Sequence, residues 1–98
     1  PELPADESIR VVPDWVCEVL SPSTASHDQI VKQRTFHRSA VPHYWSIDPD
    51  RAVLTIQRWQ VDGYLVILTA GRGETVRAEP FEAIDLRVGE LFGDDPEV

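Results

Sequence analysis

The sequence is poor in the groups on which many site chemistries depend. It has one cysteine, Cys17, and three scattered histidines, His27, His37 and His43. That excludes an internal disulfide and leaves no spacing suited to zinc. A lone thiol fits a reducing compartment, so a cytoplasmic location is expected. No glycine-rich loop is present to cradle a phosphate, and Ser21 and Ser23 lack the context of a nucleophile elbow. No apolar run approaches the roughly 18 residues that a membrane span needs, and no basic-then-apolar leader opens the chain. The first residue is Pro1 and not methionine, so residues upstream are expected. Positive charge is scarce: Lys and Arg total 9 against 17 Asp and Glu, a net charge of -8. Taken alone, that balance argues against nucleic acid as a partner, because phosphate binding needs a cationic surface.

What is present is enough for one small domain. The chain has 98 residues and an ordinary hydrophobic fraction of 42%, which excludes disorder as a reading of the whole chain. The charges are unevenly placed. Between Val19 and Ile47 the only acid is Asp28, while Lys32, Arg34, Arg38 and all three histidines fall there. One segment is therefore locally basic within an acidic protein. A solvated helix face explains such a run as readily as a binding surface does.

The pattern predicts a loop over residues 1–12, then a strand over 14–20. Its near-continuous apolar character suggests a central strand, buried on both faces at its end. Ser21-Pro22-Ser23-Thr24 is turn and cap chemistry, and a helix follows over 27–39, with Ile30, Val31 and Phe36 as a thin apolar stripe for packing. Short strands are expected over 43–47, 52–60 and 64–69, with Asp62-Gly63 turning the last two into a hairpin. A last extended segment spans 81–86, one helical turn 88–92 and an acidic tail 93–98. Strand, helix, strand over 14–47 is the order of a βαβ unit, whose strands are parallel when they share a sheet. The fold class expected is therefore α/β or α+β, a mixed sheet with a helix on one face.

Acid plus lysine is the chemistry that remains. Asp14 and Glu18 point to the same face of a strand but stand about 13 Å apart along it, at about 3.3 Å per residue, so they cannot share one metal. Glu18 is an acid between apolar neighbours near a strand end. It either faces solvent or an arginine, or is paired or bound to a cation, since buried carboxylates are costly otherwise. Asp28 and Lys32 have the spacing of an ordinary helical ion pair, worth a few tenths of a kcal/mol. Lys32 is the only lysine, beside eight arginines, a hint that a compact point charge is wanted there.

These residues fall within stretches that resemble a known family. Pro13 to Thr24, PDWVCEVLSPST, is similar to the PDLVVEVLSPST signature of the Uma-two family of restriction-endonuclease-like proteins. Asp28, Lys32 and Phe36 follow where that family runs D-x3-K-x3-Y. Ala40 to Pro49, AVPHYWSIDP, follows where it reads GVPEYWIVDP. Pro80 to Leu86 and Glu90-Leu91-Phe92 resemble its C-terminal end.

The resemblance implies a PD-(D/E)xK nuclease core, of which this chain is the C-terminal part, truncated on its N-terminal side. It implies Glu18 as a magnesium ligand and Lys32 as the lysine that orients water or offsets charge on the scissile phosphate. The two are expected to converge within a metal-and-water shell, on the order of 4–8 Å. The function implied is a magnesium-dependent DNA endonuclease. The alternative is a non-catalytic nuclease-fold module acting in protein interaction. The family's upstream strand, with the aspartate that pairs with Glu18, is expected upstream of Pro1, so these 98 residues alone are not expected to cleave DNA. Ala40, His43 and Phe36 stand where the family has glycine, glutamate and tyrosine. An incomplete sheet exposes an edge, so a homodimer or other self-association is expected.

Overall fold

A computed structural model describes residues 12–21 and 25–94. The loop expected over residues 1–12 falls almost wholly outside this range. So do the cap residues Pro22, Ser23 and Thr24 and most of the acidic tail. The elements run β1 (Trp15–Val19), α1 (Ala25–Arg38), β2 (His43–Asp48), β3 (Val53–Gln60), β4 (Gly63–Gly71), β5 (Thr75–Val76) and β6 (Leu86–Arg87), closed by a 3-10 helix at Val88–Phe92. Four strands form one mixed sheet in the order β1-β2-β3-β4, and β5 pairs with β6 in a small second sheet. β1 and β2 are parallel, with Trp15 beside His43 and Glu18 beside Ser46. β2, β3 and β4 are antiparallel neighbours. The βαβ order and the mixed sheet are those expected from the sequence.

Alternation along the strands separates two faces. Trp45 and Ile47 of β2 point with Leu54 and Ile56 of β3 into the main core. Ala70, Ala78 and Val88 complete it, and the 3-10 helix and the β5–β6 segment close it over. Tyr44 and Ser46 of β2 point the other way, toward α1. There Phe36 packs on Tyr44 at 5.8 Å between ring centroids, and Gln33 donates to Gln57 at 3.0 Å. No helix among the described residues is long and apolar enough to cross a membrane.

α1 ends at a left-handed residue. Ala40 has φ 58°, its N–H donates to the carbonyl of His37, and Val41 N–H donates to that of Phe36. This pair of bonds is a Schellman closure, whose left-handed position favours glycine because Cβ crowds the backbone there. Ala40 stands where the resemblance has glycine, and it holds the conformation at a steric cost.

Several expectations are corrected. β1 is not central among the described residues but forms one edge of the sheet, with Val19 66% exposed. Ile30 and Val31 do not pack on the sheet: each is 47% exposed. On a 3.6-residue repeat, Gln29, Gln33 and Phe36 share one side of the helix and Ile30 and Val31 turn from it. Residues 81–86 are mostly turn and not strand; the only strand here, Leu86–Arg87, pairs with Thr75–Val76. The β3–β4 turn is made by Val61 and Asp62, and Gly63 already belongs to β4.

Candidate functional site

Glu18 and Lys32 meet directly. Glu18 is the fourth residue of β1, on the face that carries Tyr44 and Ser46, and Lys32 lies on the flank of α1 nearest β1. Lys32 Nζ stands 3.3 Å from Glu18 Oε1, with Glu18 21% and Lys32 47% exposed. The contact is closer than a metal-and-water shell would set it. At such exposure an ion pair contributes only about 0–1 kcal/mol, so it adds little to stability.

The surroundings of the pair are polar across the whole sheet. In register, Glu18 neighbours Ser46, Ser46 neighbours Thr55, and Thr55 neighbours Thr69. One carboxylate and three hydroxyls thus form a row on the helix-side face, stepping about 4.8 Å per strand. Beside that row Tyr44 is fully enclosed. Its phenol is pushed up to about 12, first by burial and then by the nearby charge of Glu18, with Gln29 pulling the other way. Tyr44 is therefore a neutral phenol at any physiological pH and cannot act as a base. Burial and then Glu18 also push the Cys17 thiol up, which makes it a poor nucleophile.

The other acids near the site do not join it. Asp14 precedes β1 at its far end, consistent with the separation along the strand argued from sequence. Asp28 lies on α1, and its side chain is outside the described residues. Asp48 is taken up by its own turn: Oδ1 accepts from the N–H of Asp50 and of Arg51, and Oδ2 lies 3.5 Å from Arg51. Among the described residues no three His, Cys, Asp or Glu side chains gather as a metal site would require. Magnesium favours near-octahedral oxygen ligation, with one or two carboxylates beside waters and phosphate oxygens. Glu18 offers one such carboxylate, already in contact with a lysine. The described residues by themselves do not make up a magnesium site.

Sequence reasoning missed a second ionic cluster, on the opposite face. Glu79 accepts from Arg58 Nε and Nη2, the latter at 2.8 Å, and lies 3.0 Å from His43 Nδ1. The indole of Trp45 donates to the Glu79 carbonyl at 2.9 Å. The one sequence signal was His43 in place of the glutamate of the resembling family, and nothing in the sequence pairs it with a residue 36 positions away.

Comparison with known proteins finds both a family and similar solved structures. The model of a family described as "Uma2: Putative restriction endonuclease" matches residues 1–89. Among solved structures, the chain is similar to the crystal structure of a "putative nuclease belonging to DUF820" from Anabaena variabilis ATCC 29413. The TM-score is 0.58 and the identity 23%, over 81% of this chain and 43% of that one. The chain thus spans less than half the length of that nuclease. No curated protein matches.

Proposed function

The chain belongs to the Uma2 family, and on that premise we propose that it forms the C-terminal part of a DNA endonuclease domain, with Glu18 as a metal ligand and Lys32 as the cation beside the scissile phosphate. The observation that carries this reading is the 3.3 Å contact between Glu18 and Lys32, brought together from a strand and a helix 14 positions apart. Bound magnesium would polarise the phosphate and lower the pKa of the attacking water. Glu18 would hold the metal through a carboxylate oxygen. Lys32, beside that carboxylate, would offset charge on the phosphate. Of the polar row, Ser46 is buried and Thr69 is exposed, so Thr69 is the hydroxyl best placed to hydrogen-bond a sugar-phosphate strand. A lone, half-buried Cys17 is compatible with action in the cytoplasm.

Because Glu18 is one carboxylate, the 98-residue chain by itself is expected to leave supercoiled plasmid intact with magnesium or manganese. In a nuclease domain that adds a second carboxylate beside Glu18, Glu18→Ala and Lys32→Ala should each lower metal-dependent nicking by about a hundredfold or more. Nicking unchanged in both variants would remove these residues from the site. Nicking by the 98 residues alone, lost in both variants, would show instead that the site is complete within them.

The outer edge of β1 favours a second reading, an interaction module that pairs with a second copy of itself. Leu20 N–H donates to Ile47 across β2. By alternation the N–H and C=O of Trp15, Cys17 and Val19 therefore point away from the sheet. Two β1 strands related by a dyad at Cys17 would set Trp15 of one against Val19 of the other, an aromatic and β-branched pair. An apolar cleft of about 300 Å³, lined by Trp15, Cys17, Phe81, Ile84 and Leu91 among others, continues the surface. Sedimentation equilibrium should show a dimer that Val19→Lys dissociates. Oxidation in alkaline buffer, which overcomes the raised Cys17 thiol, should yield a covalent dimer, necessarily through this single cysteine. A wild-type monomer at high concentration with no cross-link rules the pairing out.

A further inference from the structure

On the other flank of α1 from Glu18, the helix and the β3–β4 turn enclose a cleft of about 290 Å³, lined by Gln33, Arg34, His37, Arg38, Asp62 and Tyr64 among others. Its walls are held by specific contacts. The His37 ring lies 2.7 Å from the Gln60 carbonyl through Nε2 and stacks on Trp59 at 5.2 Å. The Tyr64 hydroxyl donates to the Val41 carbonyl at 2.7 Å. Arg34 and Arg38 are one helical turn apart, about 5–6 Å between Cβ atoms, so both guanidinium groups can reach one ligand.

Their charges are unusual for this protein. Lys32, Arg51, Arg58, Arg72, Arg77 and Arg87 each have an acidic partner at ion-pair distance. Among the described residues, Arg34 and Arg38 alone of the lysines and arginines form no such pair. In a chain with 17 acids and 9 cations, the two guanidinium groups with no ion-pair partner among the described residues share one cleft. Arg38 suits the negative end of the α1 dipole, but that accounts for no more than about 1 kcal/mol and does not explain Arg34. The cleft carries two arginines and the Asp62 carboxylate, a net charge of +1 with histidine neutral. That matches a singly charged phosphodiester better than a phosphate dianion. Forked guanidinium groups are suited to such oxygens.

We propose that this cleft is a subsite for one phosphodiester of a nucleic-acid backbone, read without regard to base, with Arg34 and Arg38 as its ligands. The proposal rests on the nucleic-acid reading of the chain but not on catalysis. Arg38 lies six residues beyond Lys32, about 9 Å along the helix axis at 1.5 Å per residue. A strand held here would cross α1 within a few nucleotides of the Glu18–Lys32 pair.

The test is fluorescence anisotropy of labelled single- and double-stranded oligonucleotides with the 98-residue chain in EDTA, where no cleavage occurs. Arg34→Gln/Arg38→Gln should weaken binding about tenfold for every sequence and reduce the slope of log affinity against log salt by about one. The control Arg51→Gln/Arg77→Gln removes the same charge elsewhere and should change affinity much less. Far-UV circular dichroism should show both variants folded, since the changed side chains are exposed. Equal loss in the two double variants, or none in the first, overturns the subsite. A wild-type chain that binds no oligonucleotide overturns it together with the nucleic-acid reading. Binding that depends on Arg34 and Arg38, together with no nicking by a nuclease domain that adds a second carboxylate beside Glu18, keeps the subsite and discards the endonuclease.

Discussion

Ile56→Ala is expected to lower the free energy of unfolding by about 3–4 kcal/mol, measured by urea denaturation. Ile56 is fully buried in β3, an inner strand of the sheet. Its register neighbours are Trp45 on β2 and Leu68 on β4. Deleting its outer carbons removes their transfer free energy and leaves a cavity under β3, a strand hydrogen-bonded on both sides that cannot move to fill it. A domain of this size is stable by only about 5–15 kcal/mol, so one such cavity consumes a large share of the total. Ile56→Val, which removes one methyl group, should cost about 1 kcal/mol. Val61→Ala, in the exposed turn, should stay within about 0.5 kcal/mol. A loss below 1 kcal/mol for Ile56→Ala would contradict the placement of the core.

The second large effect is expected at Glu79, and it depends on pH. Glu79 is 11% exposed and holds Arg58 with both carboxylate oxygens and His43 with one. The hydrogen bonds from Arg58 hold its carboxyl below the usual carboxylate range, helped by the charges of Arg58 and His43 and opposed by burial. A folded-state pKa below the unfolded one means that the folded protein holds the carboxylate more tightly in its charged form. The resulting stability is present above the unfolded value, about 4.3, and is lost as pH falls through the folded value. Wild-type protein should therefore lose stability from about pH 5 downward. Glu79→Gln should be less stable at pH 7, with a melting midpoint lower by several degrees, and show a shallower acid limb. Because the backbone of Glu79 also anchors the Trp45 indole, tryptophan emission should shift to the red as the segment loosens. Identical acid limbs for variant and wild type would show that Glu79 carries none of this dependence.

The two regions differ in how far sequence could reach them. β1, α1 and β2 were legible because their signals are local: apolar β-branched runs, a proline after each apolar stretch, and a helix ended before Val41-Pro42. The Glu18–Lys32 pairing was suggested by resemblance, and its contact follows from a βαβ unit whose helix crosses the face on which Glu18 points. Ile30 and Val31 were misjudged because hydrophobicity was counted without the helical phase. Their placement depends on the side of α1 that Gln33 and Phe36 turn toward the sheet. β5 and β6 were not legible because a two-residue strand carries no periodic signal and exists only through its partner.

The sequence by itself determined the order of elements from β1 to β4, the family and the two residues of the candidate site, since each is written in contiguous motifs. The tertiary structure decided the rest. Among the described residues it made β1 an edge, joined Glu79 to Arg58 and His43, aligned Glu18 with Ser46, Thr55 and Thr69, and left Arg34 and Arg38 together over a cleft with no carboxylate at ion-pair distance. Each of these depends on strand register or on which flank of a helix faces a distant turn. Such relations arise when segments far apart in the chain pack, and a one-residue shift of register would have reversed them.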